Sequence, residues 1–165
     1  MPYSDILFRH IIRADNPFLA GIIRTSLKDY NAVRPDTVYD DPTTDDLYNL
    51  FLTDRSIYFV LEDDQGKVRG GGGIFPTPGL PEKTCELVKI YFQKEIRGKG
   101  YGRKLLELCE KSAAAMGYRH IYLESMPELT NALPLYEKMG YYYIPYSLGK
   151  SGHTGCSVFM QKDLD

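Results

Sequence analysis

The 165-residue chain is 43% hydrophobic and 25% charged, proportions that suit one folded domain spanning 1–165 and exclude a fibrous or disordered chain. Its net charge of −2 excludes a global field that would draw it to nucleic acid or to an anionic membrane. The stretch Met1–Asp15 is broken by Arg9, His10 and Arg13, so no signal peptide is expected, and no apolar run approaches membrane-spanning length. Three cysteines, Cys85, Cys109 and Cys156, form no C-x-x-C pair and are expected as reduced thiols of a cytoplasmic protein.

Ile6–Ile12 is expected as a first strand. Asn16-Pro17 opens a helix, Asn as cap and Pro at the first helical position, and Leu19, Ile22, Ile23, Leu27 and Tyr30 form its apolar stripe. After a connection from Asn31 to Pro42, a second helix is expected from Thr43 to about Thr53, with Asp45 and Asp46 in its first turn. Ser56–Glu62 and Val68–Phe75 read as strands joined by the hairpin signal Asp63–Lys67. Gly70–Gly73, inside the second of them, predicts a bulge or a close backbone approach. Beyond the loop Pro76–Glu82, Cys85–Phe92 is a further strand.

From Gly98 the period changes. Tyr101, Leu105, Leu108, Cys109, Ala113 and Met116 share one face of a helix that Gly117 ends. His120–Glu124 is expected as a strand, Thr130–Met139 as a short helix, and Tyr141–Tyr146 and Cys156–Lys162 as closing strands. Strand–helix–strand around 85–124 requires a parallel pair with a right-handed crossover, and the 56–75 hairpin requires antiparallel neighbours. The class is therefore α/β, a mixed sheet covered by helices and not a doubly wound one.

The segment Arg97-Gly98-Lys99-Gly100-Tyr101-Gly102 stands between a strand and an amphipathic helix. A helix start offers unpaired N–H groups and a positive dipole end, and glycines remove the Cβ atoms that would hold a phosphate away from them. Arg97, Lys99 and Arg103 add positive charge. A plain glycine turn would not require that combination. A dinucleotide fingerprint fails because its third glycine would come one residue early. His153-x-x-Cys156 is too sparse for a metal site, and no metal is expected.

The glycine segment resembles the signature of the GNAT N-acetyltransferase superfamily, which clasps the pyrophosphate of acetyl-CoA. Leu135-Tyr136-Glu137-Lys138-Met139-Gly140-Tyr141 is similar to the family's second signature, Leu-Tyr-Glu-Lys-x-Gly-Phe/Tyr. The resemblance implies a mostly antiparallel sheet of about seven strands with a central parallel pair, flanked by about four helices. It implies acetyl-CoA as cosubstrate, an amine as acceptor, and direct transfer in a ternary complex. Ile90, Tyr91 and Phe92 would hold the pantetheine arm as though it were an added strand, beside Arg97, Gly98, Lys99, Gly100, Tyr101, Gly102 and Arg103 at the pyrophosphate. Where many relatives have a cofactor-touching Asn this chain has Leu129, and either Asn131, two residues later, substitutes for it or the contact is missing.

By the same resemblance Tyr136 would protonate the leaving thiolate, and Glu124, at a strand end, would accept the amine proton. Glu86 competes for the second role. Strand alternation groups Glu86, Val88, Ile90 and Phe92 on one face and Cys85, Leu87, Lys89 and Tyr91 on the other. For the acceptor, Asp36, Asp40 and Asp41 of the acidic loop would hold a cationic amine while Tyr39 packs against its stem. Alternatively, Asp40 and Asp41 complement the start of the following helix. His153, in a glycine-flanked loop, is a further acceptor-site candidate. A catalytically silent acetyl-CoA-binding module is the alternative function, and whether the chain forms a homodimer is left open.

Overall fold

Alternation of period two and a stripe of period 3.6 meet here as a sheet with helices against both of its faces. The computed structural model describes residues 5–165, so the part of the signal-peptide reading that falls on Met1–Ser4 lies outside the described residues. In chain order the elements are β1 (Leu7–His10), α1 (Asn16–Asp29), α2 (Leu47–Leu50), β2 (Ile57–Glu62), β3 (Val68–Phe75), β4 (Thr84–Phe92), α3 (Tyr101–Ala115), β5 (His120–Ser125), α4 (Ala132–Lys138), β6 (Tyr142–Ile144) and β7 (Val158–Asp163). The seven strands lie in the order β1-β2-β3-β4-β5-β7-β6. Neighbours are antiparallel except β4 and β5, which run parallel across the α3 crossover.

Side chains divide between two cores. Phe59 and Leu61 of β2 face Leu105, Leu106 and Cys109 of α3 and Tyr136 of α4. Tyr58 and Val60 face Leu19, Ile23 and Leu27 of α1 and Leu47 of α2. This is the alternation of a strand buried on both faces. Each fully buried Leu or Ile contributes about 1.5–3 kcal/mol of transfer free energy.

Several expected boundaries change. The helix expected over Thr43–Thr53 is a 3-10 turn, Pro42–Asp45, followed by only one turn of α-helix at α2. Asp41 accepts from the Thr43 N–H, and Asp46 accepts from Asn49 and Asn16, so short acidic side chains close local turns in place of a continuous helix. β1 stops at His10 because the Asp15 carboxylate takes the Ile12 N–H and starts a turn. β6 stops at Ile144 because Pro145 cannot donate to a ladder.

The alternation expected along β4 also fails, and the reason positions the site. The register with β3 jumps from Gly73↔Val88 to Gly71↔Tyr91, a bulge of one extra residue in β4. Lys89 carries it at φ +54, and the buried Tyr58 hydroxyl donates to the Lys89 carbonyl at 2.8 Å. Past the bulge the faces exchange. Ile90 and Phe92 join Cys85 and Leu87 on the α3 side, while Val88 and Tyr91 pack on the α1 side. The glycines of β3 permit this: a Cβ on Gly72 would lie 2.4 Å from the Ile90 side chain, and one on Gly71 2.5 Å from the Tyr58 ring.

Candidate active site

β4 and β5 pair only from Thr84↔His120 to Leu87↔Leu123. Beyond that point β4 bulges, whereas β5 stays paired to β7 as far as Ser125↔Val158. The two strands separate, and a cavity of about 400 Å³ opens between them. The unpaired edge of β4 lines one wall with Lys89, Ile90, Tyr91 and Phe92; Glu124 and Ser125 line the other. From the glycine loop and α3 start, Gly98, Gly100, Tyr101, Gly102 and Arg103 lie at one end, and Asn131, Leu135 and Tyr136 lie along the lining.

At the loop end Gly98 and Gly100 have φ of +73 and +88, which favours glycine, and a Cβ on either would meet nothing within 4 Å. α3 begins at Tyr101 beside that open space, with no side-chain hydrogen bond at its N-cap, Gly100. Gly102 differs in purpose: a Cβ there would lie 2.8 Å from Leu135, so it admits α4. The three cations expected around a pyrophosphate are not equivalent. The Arg97 guanidinium donates to the Phe92 carbonyl and to Ser26, pairs with Asp29, and lies over the Tyr30 ring, bracing the loop against α1. Arg103 pairs with Glu107 on the exposed face of α3, and Lys99 is exposed on the loop. The Phe92 carbonyl already accepts from Ser26 and Arg97, so the edge that remains without a strand partner is centred on Ile90 and Tyr91. Asn131 donates to the Tyr30 hydroxyl at 3.0 Å.

Tyr136 is 8% exposed, and burial pushes its hydroxyl well above the usual tyrosine range, so it keeps its proton. Glu124 accepts from the Tyr122 hydroxyl at 2.6 Å and from Ser151 at 2.5 Å. Tyr122 accepts in turn from the Leu148 N–H. Thus the loop between β6 and β7 orients the carboxylate, a support that spacing along the chain did not reveal.

That loop also brings His153 to Asp41, with Nε2 2.7 Å from Oδ2. Burial works against the Asp41 charge, but His153, the Lys89 charge and the Thr43 donors overcome it and hold the carboxyl well below the usual range. Lys89 Nζ is 3.5 Å from the same oxygen. Glu86 is 3% exposed and accepts from Thr77 at 2.6 Å; burial pushes its carboxyl up to about 7. Asp41, Glu86 and His153 are therefore gathered with Lys89, which sequence reading placed only on the alternate face. A lysine flanked by Leu87, Val88, Ile90 and Tyr91 in a strand was the available signal.

The residues of the acidic loop are placed differently from one another. Asp40 turns inward on its own loop and accepts the Asp36 and Thr37 N–H groups. Tyr39 lies beneath Arg24 and Lys28 of α1. Asp41 alone reaches the cluster, where His153 Nε2 and Lys89 Nζ already lie against its Oδ2. Among the described residues no group of three or more His, Cys, Asp or Glu side chains is placed to hold a metal ion. No described helix is long and apolar enough to cross a membrane.

A family model described as Acetyltransferase (GNAT) family matches residues 21–141. This chain belongs to that family, and its class is N-acetyltransferase. It is 39% identical over 165 residues to YjgM of Escherichia coli (strain K12), an N-acetyltransferase, covering 99% of this chain and 97% of the relative. The fold is similar to that of a GNAT-family acetyltransferase from Staphylococcus aureus Mu50, with a TM-score of 0.86, 18% identity and coverage of 98% and 100% of the two chains. It is also similar to YncA of Salmonella typhimurium, a structure containing acetyl-CoA, with a TM-score of 0.76, 22% identity and coverage of 98% and 95%.

Proposed function

We propose that this enzyme transfers an acetyl group from acetyl-CoA to a small primary amine by direct attack in a ternary complex. The observation that supports it is one continuous cavity joining the glycine loop to Glu124 and Tyr136 along the unpaired edge of β4. Gly98 and Gly100 leave room for a pyrophosphate before uncapped N–H groups, and the Ile90–Tyr91 edge can take an extended arm as a strand takes a neighbour. Holding acetyl-CoA at that distance fixes the thioester carbonyl relative to the amine.

Glu124 receives the amine proton, because an ammonium has no lone pair with which to attack. The nitrogen then bonds to the acetyl carbon, the carbon–sulfur bond breaks, and Tyr136 gives its proton to the departing sulfur. The second proton that the nitrogen sheds on becoming an amide passes to solvent, from which the Tyr136 hydroxyl is restored. Glu86, whose carboxyl burial raises to about 7, is the competing base, but it lies outside the cavity lining. One domain over 1–165 and a cytoplasmic location belong to the same proposal. The three cysteines, which form no disulfide, support the location.

Wild-type protein with acetyl-CoA and a panel of primary amines should release free CoA. Tyr136→Phe should lower kcat by roughly 10²–10⁴-fold with acetyl-CoA affinity nearly intact. Glu124→Gln should be most defective near neutral pH and recover toward the amine's own pKa of about 10. A Tyr136→Phe enzyme with the wild-type rate, or a Glu124→Gln defect that does not vary with pH, would remove those residues from proton transfer. A pH-dependent defect in Glu86→Gln would move the base there.

A further inference from the structure

Lys89 has no part in the proton transfers described above, yet it is the only lysine among the residues lining the cavity. Its side chain is 4% exposed. An ammonium has three donors, and among the described residues this one has a single hydrogen-bond partner, Asp41, at 3.5 Å. That is longer than the roughly 2.7–2.9 Å of a well-made ammonium–carboxylate bond. Asp41 has closer company: His153 at 2.7 Å on the same oxygen, and the Thr43 N–H and hydroxyl at 2.9 and 2.7 Å on the other. The remaining charged neighbours, Glu86 and Arg24, act on Lys89 only through space and with opposite signs. A buried cation with unfilled donors is costly to a fold, and a ligand oxygen is the natural way to fill them.

Position gives the second argument. Leu87↔Leu123 is the last pair of the parallel ladder, so Lys89 and Glu124 are the first charged residues beyond it on the two diverging strands. Lys89 and Glu124 thus line the same cavity from opposite walls.

We infer that the acceptor is an amine that also carries a carboxylate, an amino acid in the broad sense, with its carboxylate on Lys89 and its amine toward Glu124. This rests on the acetyl-transfer reading and narrows its acceptor. The Asp41–His153 pair holds the lysine in place without satisfying it, and the bulge that lifts Lys89 out of alternation delivers it to the acceptor side.

The test compares free α-, β- and γ-amino acids with their carboxamides and with the corresponding amines lacking the carboxylate, by CoA release from wild-type enzyme and acetyl-CoA. The free acids should be preferred by roughly 10–100-fold in kcat/KM, the scale of one hydrogen-bonded charge pair. Lys89→Met should bring that ratio near one, chiefly by raising KM for the acids, while Lys89→Arg should retain most of it. Acetyl-CoA affinity, measured by calorimetry, reports separately on the underlying reading. Transfer to carboxamides as fast as to free acids in wild type, or a ratio unchanged in Lys89→Met, overturns the carboxylate site alone. Absence of transfer to every amine overturns both.

Discussion

Glu86 and Glu124 are both carboxylates beside the cavity, but their surroundings set them apart. Glu124 is half-buried and accepts two hydroxyl donors, Tyr122 and Ser151. Glu86 is enclosed; burial, and then the Glu124 charge, raise its carboxyl to about 7 against the opposing Thr77, His153 and Lys89. Because that value lies above the ordinary 4.5, the folded state binds the proton more tightly than the unfolded chain. The stability Glu86 lends is full below about pH 4.5 and is lost as pH rises to about 7. Glu86→Gln should therefore be more stable than wild type above pH 7, by up to about 3 kcal/mol, with the difference vanishing toward pH 4. Denaturant unfolding across that range measures it, and a difference independent of pH would mean that Glu86 ionises freely in the fold.

At the scale of elements, the site is made by two departures from regular geometry. The bulge in β4 ends the parallel ladder and opens the cavity; the glycine loop before α3 leaves that helix uncapped toward it. Gly100→Val places a branched side chain at φ +88, at a backbone cost of about 1–3 kcal/mol, and fills the space before the helix start. In protein that remains folded, acetyl-CoA affinity should fall by at least ~100-fold, as read by calorimetry. Retained affinity would mean that the phosphate groups bind elsewhere. Ala substitution at Gly102 would act differently, since its clash is with Leu135 of α4 and not with open space.

For the molecule as a whole, two cores share one sheet, and the cavity lies where the sheet divides. A ligand held along that division is bound by the native state and not by the unfolded chain. At a hundredfold excess over its Kd, acetyl-CoA should add about 2.7 kcal/mol of stability. For a chain of this size that raises Tm by roughly 5–10 °C, measurable by a thermal melt. A melt that does not move at rising acetyl-CoA would leave the cavity without its proposed occupant.

By itself the sequence determined the order of elements, the parallel pair around α3, and the two segments that resemble GNAT signatures. Those features depend on local periods and on glycines whose conformational role is written at their own positions. It also brought forward Glu86, Glu124, Tyr136, Asp41 and His153 as separate candidates. Only the tertiary structure decided which of them meet. Asp41 and His153 are 112 residues apart, and Ser151 reaches Glu124 from 27 residues away. The glycines of β3 announced a close approach, but the bulge they allow lies in the partner strand, where one extra residue exchanges every later side chain between faces. Lys89 was concealed for that reason: a side chain's face depends on register with a neighbouring strand, and register is a property of the assembled sheet.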